Sequence, residues 1–133
     1  MGISTYWNDT YAVGNELIDG QHKKLLEISG RGFQLLAAPF VSAEDCRHLL
    51  YEFAVTLQEH LDTEEKVLTH NGYSSLAGHI GEHQASRAVL DDLLRNAEKG
   101  VFYKGALLSM MANYVGDHLL RTDMACKDYL KAS

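Results

Sequence analysis

The segment of residues 60–83, HLDTEEKVLTHNGYSSLAGHIGEH, decides the fold of this chain. It contains two pairs of potential metal ligands at i, i+4 spacing, His60 with Glu64 and His79 with His83. Four residues are slightly more than one helical turn, so both members of a pair project from the same helix face. The Asn-Gly dipeptide between the pairs is typical of a helix stop. The segment therefore predicts two consecutive helices, each carrying a two-ligand clamp.

The hydrophobic pattern around this segment predicts four helices in all. The first is expected over about residues 19–36, because the residue before Pro39 disfavours helical geometry. Ser42 is the expected N-cap of the second helix, which ends at Asn71-Gly72. The predicted inward stripe of the first helix runs through Ile18, His22, Leu25, Leu26, Ser29, Phe33 and Leu36.

The two remaining helices have equally clear boundaries. Ser74 or Ser75 is expected to cap the third helix, and Gly100 to end it. The fourth is expected over about residues 103–130. Four helices with short connections predict an all-α, up-down-up-down antiparallel four-helix bundle. We expect one domain of residues 1–133, in which residues 1–18 form an irregular N-terminal arm and residues 19–131 form the bundle.

This topology brings the potential ligands of all four helices to one height. In an antiparallel hairpin, residues equally distant from the turn lie side by side, and His22 and His60 are each 19 residues from Val41. The same reasoning at the second and third turns aligns the remaining ligands to within one or two helical turns. Seven side chains are thus expected to converge: His22, His60, Glu64, His79, His83, His118 and Asp123.

Composition excludes several functional classes. The net charge of −6, without a basic cluster, argues against a nucleic-acid partner and against an anionic membrane surface. No stretch approaches the roughly 20 apolar residues of a membrane span, and the first residues lack signal-peptide features. We therefore expect a cytoplasmic location. Cys46 and Cys126 have no metal-ligand spacing and are expected to be reduced, buried thiols. No feature identifies a protein partner or an oligomeric state.

The donor set indicates two transition-metal ions. Five imidazoles and two carboxylates are too many for one tetrahedral zinc and too rich in nitrogen for calcium or magnesium. They suit two first-row ions with bridging carboxylates. With a further oxo or hydroxo bridge, one coordination position remains open for a small ligand. The ferritin-like alternative needs Glu-x-x-His motifs, and a zinc protease needs His-Glu-x-x-His; the chain contains neither.

At these motifs the chain resembles the hemerythrin family, in particular its bacterial domains. The resemblance covers nearly the whole chain and rests on Trp7, Val13-Gly14, Asp19-x-x-His22-Lys23, His60-x3-Glu64-Glu65, His79-x-x-Glu82-His83 and His118-x4-Asp123. It implies a carboxylate- and oxo- or hydroxo-bridged pair of iron ions that binds O2 reversibly. The implied ligands are His79, His83 and His118 on one iron, His22 and His60 on the iron with the open position, and Glu64 and Asp123 as bridges.

Asp123 is the least obvious of the seven ligands. It follows His118 by five residues, which places it about 140° away on an ideal α-helix. Both side chains can point inward only if the fourth helix is kinked or contains a π-bulge. We therefore predict a distortion between them, eased by Gly116.

Three positions near the site depart from the family pattern. Leu61 and Ser86 stand where the family often has Phe, and Tyr114 stands where it often has Trp. These changes predict a roomier and wetter pocket around the O2 position, for which Leu119 is the expected apolar lining. Alternatively, the Ser86 hydroxyl bonds its own helix backbone and other side chains fill the space.

The remaining polar residues near the motifs are expected to be structural or solvated. His48 and His70 match no ligand position. Glu65 and Glu82 neighbour ligands in sequence, and a solvated role is favoured for both over a hydrogen bond to a ligand imidazole.

The leading functional hypothesis is an O2-binding di-iron protein, for storage, delivery or sensing of oxygen, which is not an enzyme. The second is a di-iron peroxidase, oxidase or NO-handling enzyme that uses the same site. The third is a metal-binding protein without O2 chemistry.

Overall fold

The computed structural model describes residues 6–131, so residues 1–5 of the predicted arm lie outside the described part. Within this range there is no β-strand, and the predicted all-α four-helix bundle is confirmed. The elements in chain order are a 3-10 turn Asp9–Tyr11, α1 Glu16–Ala37, α2 Ala43–His70, α3 Leu76–Glu98, α4 Lys104–Asn113, a π-helical segment Tyr114–Asp123, and α5 Lys127–Leu130. The last three elements occupy the predicted fourth helix and are called the fourth helix together.

Helix α1 begins three residues earlier than predicted, because Asn15 caps it. The Asn15 side-chain oxygen accepts hydrogen bonds from the backbone N–H groups of Leu17 and Ile18, at 3.1 and 3.3 Å. An N-cap of this kind satisfies N–H groups that have no partner inside the helix. The irregular arm consequently ends at Asn15 instead of residue 18.

The other helix ends largely follow the predictions. The Ser42 hydroxyl accepts from the Asp45 N–H at 3.0 Å, which confirms this cap. Gly72 and Gly100 have φ angles of +70° and +79°, the left-handed conformation that glycine adopts without strain. Ser75 precedes α3 as expected, but its side chain makes no capping hydrogen bond.

Two apolar clusters hold the bundle together. The large core is formed by Leu25, Leu26, Ile28, Leu36, Cys46, Leu49, Leu50, Phe53, Ala54, Leu57, Leu61, Leu90, Leu93, Ala97, Leu107, Met110, Met111, Tyr114, Val115 and Leu119. The small core is formed by Val13, Ile18, Leu68, Cys126 and Leu130. The predicted inward stripe of α1 is buried except for Phe33, which is half-buried.

A layer of buried polar side chains separates the two cores. Along α2, Leu61 belongs to the large core, Glu64 to the polar layer and Leu68 to the small core. Along α1, which runs in the opposite direction, the order is reversed, from Ile18 through His22 to Leu25. On the fourth helix, Asp123 lies between Leu119 of the large core and Cys126 of the small core. The small core therefore closes the end of the bundle beyond the polar layer.

Two asparagine side chains stabilise the end of the bundle that the small core closes. The Asn15 amide donates to the carbonyl oxygen of Leu130 at 3.0 Å, and the Asn71 amide donates to that of Tyr129 at 2.7 Å. Together they hold α5 against the start of α1 and the end of α2. No helix within residues 6–131 has the length and apolar content needed to cross a bilayer.

Candidate metal centre

The buried polar layer brings together all seven predicted ligands. Five histidines turn their Nε2 atoms toward a common centre and form two groups. The two-histidine cluster consists of His22 and His60, whose Nε2 atoms are 3.1 Å apart. The three-histidine cluster consists of His79, His83 and His118, in which the Nε2 atoms of His83 and His118 are 3.2 Å apart.

Two carboxylates lie between the clusters. Glu64 Oε1 is 3.2–3.4 Å from the Nε2 atoms of the three-histidine cluster, and its Oε2 is 3.0–3.5 Å from those of the two-histidine cluster. Asp123 repeats this arrangement, with Oδ1 3.1 Å from His118 Nε2 and Oδ2 3.0 Å from His22 Nε2. Each carboxylate thus directs one oxygen to the two-histidine cluster and the other oxygen to the three-histidine cluster.

The arrangement fits two metal ions. One set of mutually close donor atoms comes from the three-histidine cluster with Glu64, and another from the two-histidine cluster with Glu64 and Asp123. Two imidazole nitrogens at right angles on one ion are about 3 Å apart, given metal–nitrogen bonds of about 2.0–2.1 Å. In the described residues, Glu64 Oε2 and Asp123 Oδ1 are buried and have no well-aligned hydrogen-bond donor. Buried carboxylate oxygens in this state are suited to metal ligation.

The π-helical segment explains how His118 and Asp123 share one face. A π-helix closes hydrogen bonds between residues five apart, so residues at this spacing lie above one another. The segment Tyr114–Asp123 includes both ligands and Gly116. Asp123 is completely buried. The predicted distortion of the fourth helix is therefore confirmed, and it extends over ten residues.

The carboxylates and histidines of the cage shift one another's pKa values. Burial lowers the pKa of His60 and of His118, but Glu64 and Asp123 outweigh burial and raise these values to about 9 and about 10. Burial would raise the pKa of Glu64, but the charge of His60 and further hydrogen bonds hold it well below its usual value. The carboxylates are thus ionised, and His60 and His118 carry protons that metal ions would displace.

Two residues support ligand histidines from outside the cage. His83 Nδ1 donates to Glu65 Oε2 at 2.8 Å, so the expectation of a solvated Glu65 is wrong. His60 Nδ1 donates to Gln21 Oε1 at 2.8 Å, a contact that sequence analysis missed. The signal that could have found both partners is the general need of a metal-bound imidazole for an acceptor on its second nitrogen. Glu82 is 53% exposed, in agreement with its predicted solvated role, and its Oε2 lies 3.9 Å from His118 Nδ1, too far for a hydrogen bond.

The residues predicted to line the O2 pocket occupy two different environments. Leu61 and Leu119 are fully buried in the large core, each next in sequence to a ligand histidine. Ser86 is half-buried and lies in a groove of about 490 Å³ between α3 and the fourth helix. Tyr114 and His118 line the same groove. The groove therefore reaches the edge of the three-histidine cluster.

Tyr114 connects the groove to both histidine clusters. Its ring stacks on His118 with centroids 5.1 Å apart and meets the His60 ring edge-on at 5.9 Å. Burial, together with the charges of Asp123 and Glu64, raises its pKa well above the usual value. The hydroxyl is neutral and, among the described residues, has no hydrogen-bond partner.

The remaining histidines and cysteines lie where the sequence suggested, with one addition. His48 and His70 are exposed on α2, and Cys46 and Cys126 are buried free thiols. Cys126 Sγ, however, lies close to donor atoms of His79 and Asp123. Burial and the neighbouring carboxylates raise the pKa of Cys126 to about 12, so it is a protonated thiol at the edge of the cage.

These features define a class of protein, a helical bundle that encloses a nitrogen- and oxygen-donor cage for metal cations. The family model of the hemerythrin HHE cation binding domain matches residues 13–129. The chain therefore belongs to the hemerythrin family, and this membership supports iron binding.

Individual relatives cover almost the whole chain. The bacteriohemerythrin of Clostridium acetobutylicum is 26% identical over an alignment of length 128, and the match covers 88% of this chain and 94% of the relative. The bacteriohemerythrin of Campylobacter jejuni strain 81-176 is 23% identical over 126 residues, which cover 94% of each chain. No solved structure matches the chain.

Proposed function

We propose that the chain binds O2 reversibly at a pair of iron ions held by His22, His60, Glu64, His79, His83, His118 and Asp123. The observation that carries this proposal is the unequal division of the histidines around two carboxylates, each of which faces both clusters. Three imidazoles and two carboxylate oxygens would leave less room on one ion than two imidazoles and two oxygens on the other. The open position then belongs to the two-histidine cluster.

Iron supplies the reversible exchange of electrons with O2, and the protein supplies the environment for it. Glu64 and Asp123 remain ionised and bring two negative charges to the cage. Leu61 and Leu119 are buried and exclude water on the side of the large core. A dry site protects the bound ligand from side reactions. The ring of Tyr114 lies against His60 and His118, and its buried, neutral hydroxyl has no hydrogen-bond partner among the described residues.

Iron analysis combined with optical spectroscopy of the purified protein tests the proposal. We expect two irons per chain, with absorption bands that bleach when O2 is removed and return when it is readmitted. His118→Ala should lose this optical cycle, because it removes one imidazole from the cage. His48→Ala is the matched control, since His48 is exposed on the same bundle and should leave the cycle intact. A single iron per chain, or equal spectra for both variants, would contradict the proposal.

An enzymatic use of the same site is the second candidate, a di-iron peroxidase, oxidase or NO-handling activity. The groove at Ser86 favours it, because it brings solvent to Tyr114 and His118. Turnover of hydrogen peroxide or NO well above that of free iron would support this candidate. Full recovery of the deoxygenated protein over many O2 cycles, with no turnover of hydrogen peroxide or NO, would contradict this candidate and favour reversible O2 binding.

A further inference from the structure

The two histidine clusters differ in the charge of their outer hydrogen-bond partners. His83, in the three-histidine cluster, donates its Nδ1 proton to the Glu65 carboxylate. His60, in the two-histidine cluster, donates its Nδ1 proton to the neutral Gln21 amide. Both hydrogen bonds are 2.8 Å long, so the difference between them is one of charge and not of distance.

The carboxylate of Glu65 is held in place by an arginine. Arg87 Nη2 lies 2.7 Å from Glu65 Oε2 and 2.8 Å from Asp62 Oδ1. The side chains of Glu65 and Arg87 are only 22% and 19% exposed, so solvent screens their interaction less than that of a surface ion pair. This pairing fixes the acceptor oxygen of Glu65 against His83.

The amide of Gln21 is oriented by a chain of hydrogen bonds. Thr63 donates its hydroxyl proton to the Glu59 carbonyl oxygen at 2.8 Å. That hydroxyl can therefore only accept from the Gln21 NH2 group, which lies 3.0 Å away. The Gln21 carbonyl oxygen is consequently the atom that faces His60, and its neutral acceptor role follows from the network.

We propose that these outer partners make the two irons electronically unequal. The argument rests on the di-iron site proposed above. A carboxylate acceptor increases the basicity of a metal-bound imidazole, and a neutral amide does so less. Glu65 thus stabilises the ferric state of the iron at the three-histidine cluster, whereas Gln21 leaves the iron at the two-histidine cluster easier to reduce. Glu65 and Gln21 are positioning residues whose unequal charge would make the iron beside the open coordination position the easier of the two to reduce.

An exchange of charge between the two partners tests this inference on the iron-loaded protein. Glu65→Gln gives both clusters a neutral acceptor, and Gln21→Glu gives both a carboxylate. Asp62→Asn is the matched control, because it removes a carboxylate from Arg87 without touching the bond to His83. The measurements are a potentiometric titration of the two electrons and a competition for iron with a chelator.

Opposite shifts are expected from the two variants. Glu65→Gln should raise the lower of the two midpoint potentials and weaken the affinity for one iron about 10- to 100-fold. Gln21→Glu should lower the higher midpoint potential, and Asp62→Asn should behave like the unmodified protein in both measurements.

The outcomes separate the two proposals. Two irons per chain with unchanged potentials and affinity in Glu65→Gln would overturn the inference and leave the di-iron function standing. Equal losses in Glu65→Gln and Asp62→Asn would also overturn it, since the effect would then come from the Arg87 ion pair. Fewer than two irons in the unmodified protein would remove the proposed function and the inference together.

Discussion

The two apolar cores on either side of the polar layer differ greatly in size and in their relation to the cage. Among residues 6–131, the large core contains twenty buried residues from the four helices, and the small core contains five. Burial of apolar surface is the main stabilising contribution to folding. The comparison suggests that the large core determines stability and the small core mainly closes the cage. Variants in each core can separate these roles.

The largest effect is expected from Phe53→Ala in the large core. Phe53 is fully buried, and truncation of a buried Phe leaves a cavity that costs about 3–5 kcal/mol. Chemical denaturation should show this loss in the free energy of unfolding. Iron content below the unfolding transition should stay at the level of the unmodified protein, since Phe53 holds no ligand. A stability loss below about 1 kcal/mol would mean that the large core does not dominate.

Leu130→Ala in the small core should have a smaller effect on stability and a larger one on iron retention. Leu130 is fully buried, and its removal is expected to cost about 2–3 kcal/mol, near the lower end for buried leucines because a helix of four residues can readjust. Release of iron to a chelator should be faster than in Phe53→Ala. Equal release rates in the two variants would show that the small core is not the closure of the cage.

The asparagine contacts at the closing end allow a finer test. Asn15→Asp keeps an N-cap oxygen for α1 but removes the amide that donates to Leu130 O. The expected loss is about 1 kcal/mol, the typical net contribution of one hydrogen bond. Asn15→Ala should cost more, because the cap is lost as well. Thermal unfolding of the two variants measures the difference, and the reverse order would contradict the double role of Asn15.

The sequence predicted most of the fold because its stop signals are local. Ser42, Gly72 and Gly100 act through their own backbone or the next few residues, and no tertiary information is needed to interpret them. The start of α1 was missed because Asn15 and Glu16 precede the apolar stripe that marked the helix. The Asn15 amide contact to Leu130 spans almost the whole chain, which no local pattern reveals.

The ligands of the candidate site could be predicted from the sequence, but most of the residues around them could not. The convergence of the ligand side chains followed from spacing and topology, and the π-helix followed from the five-residue step to Asp123. The roles of Glu65 and Gln21 could not be obtained in this way. Each contact requires a particular rotation of α1 or α3 against α2, and helix rotation is set by packing of the whole bundle. Cys126 near His79 is a further case of the same kind.

The smallest change in stability is expected for Ser86→Phe, which tests whether the groove gives water access to the cage. Ser86 lies one helical turn after His83 in a groove that Tyr114 and His118 also line, so an aromatic ring there would displace water from the edge of the three-histidine cluster. Stability should change by less than about 0.5 kcal/mol, as for other surface positions. Conversion of the O2-bound protein to the ferric form, followed by absorption, should become slower because less water reaches the site.

Val89→Phe is the matched control, since it adds a larger side chain to the same groove one turn farther from the ligands. Equal rates in the two variants and the unmodified protein would show that the groove does not admit the water that drives this conversion.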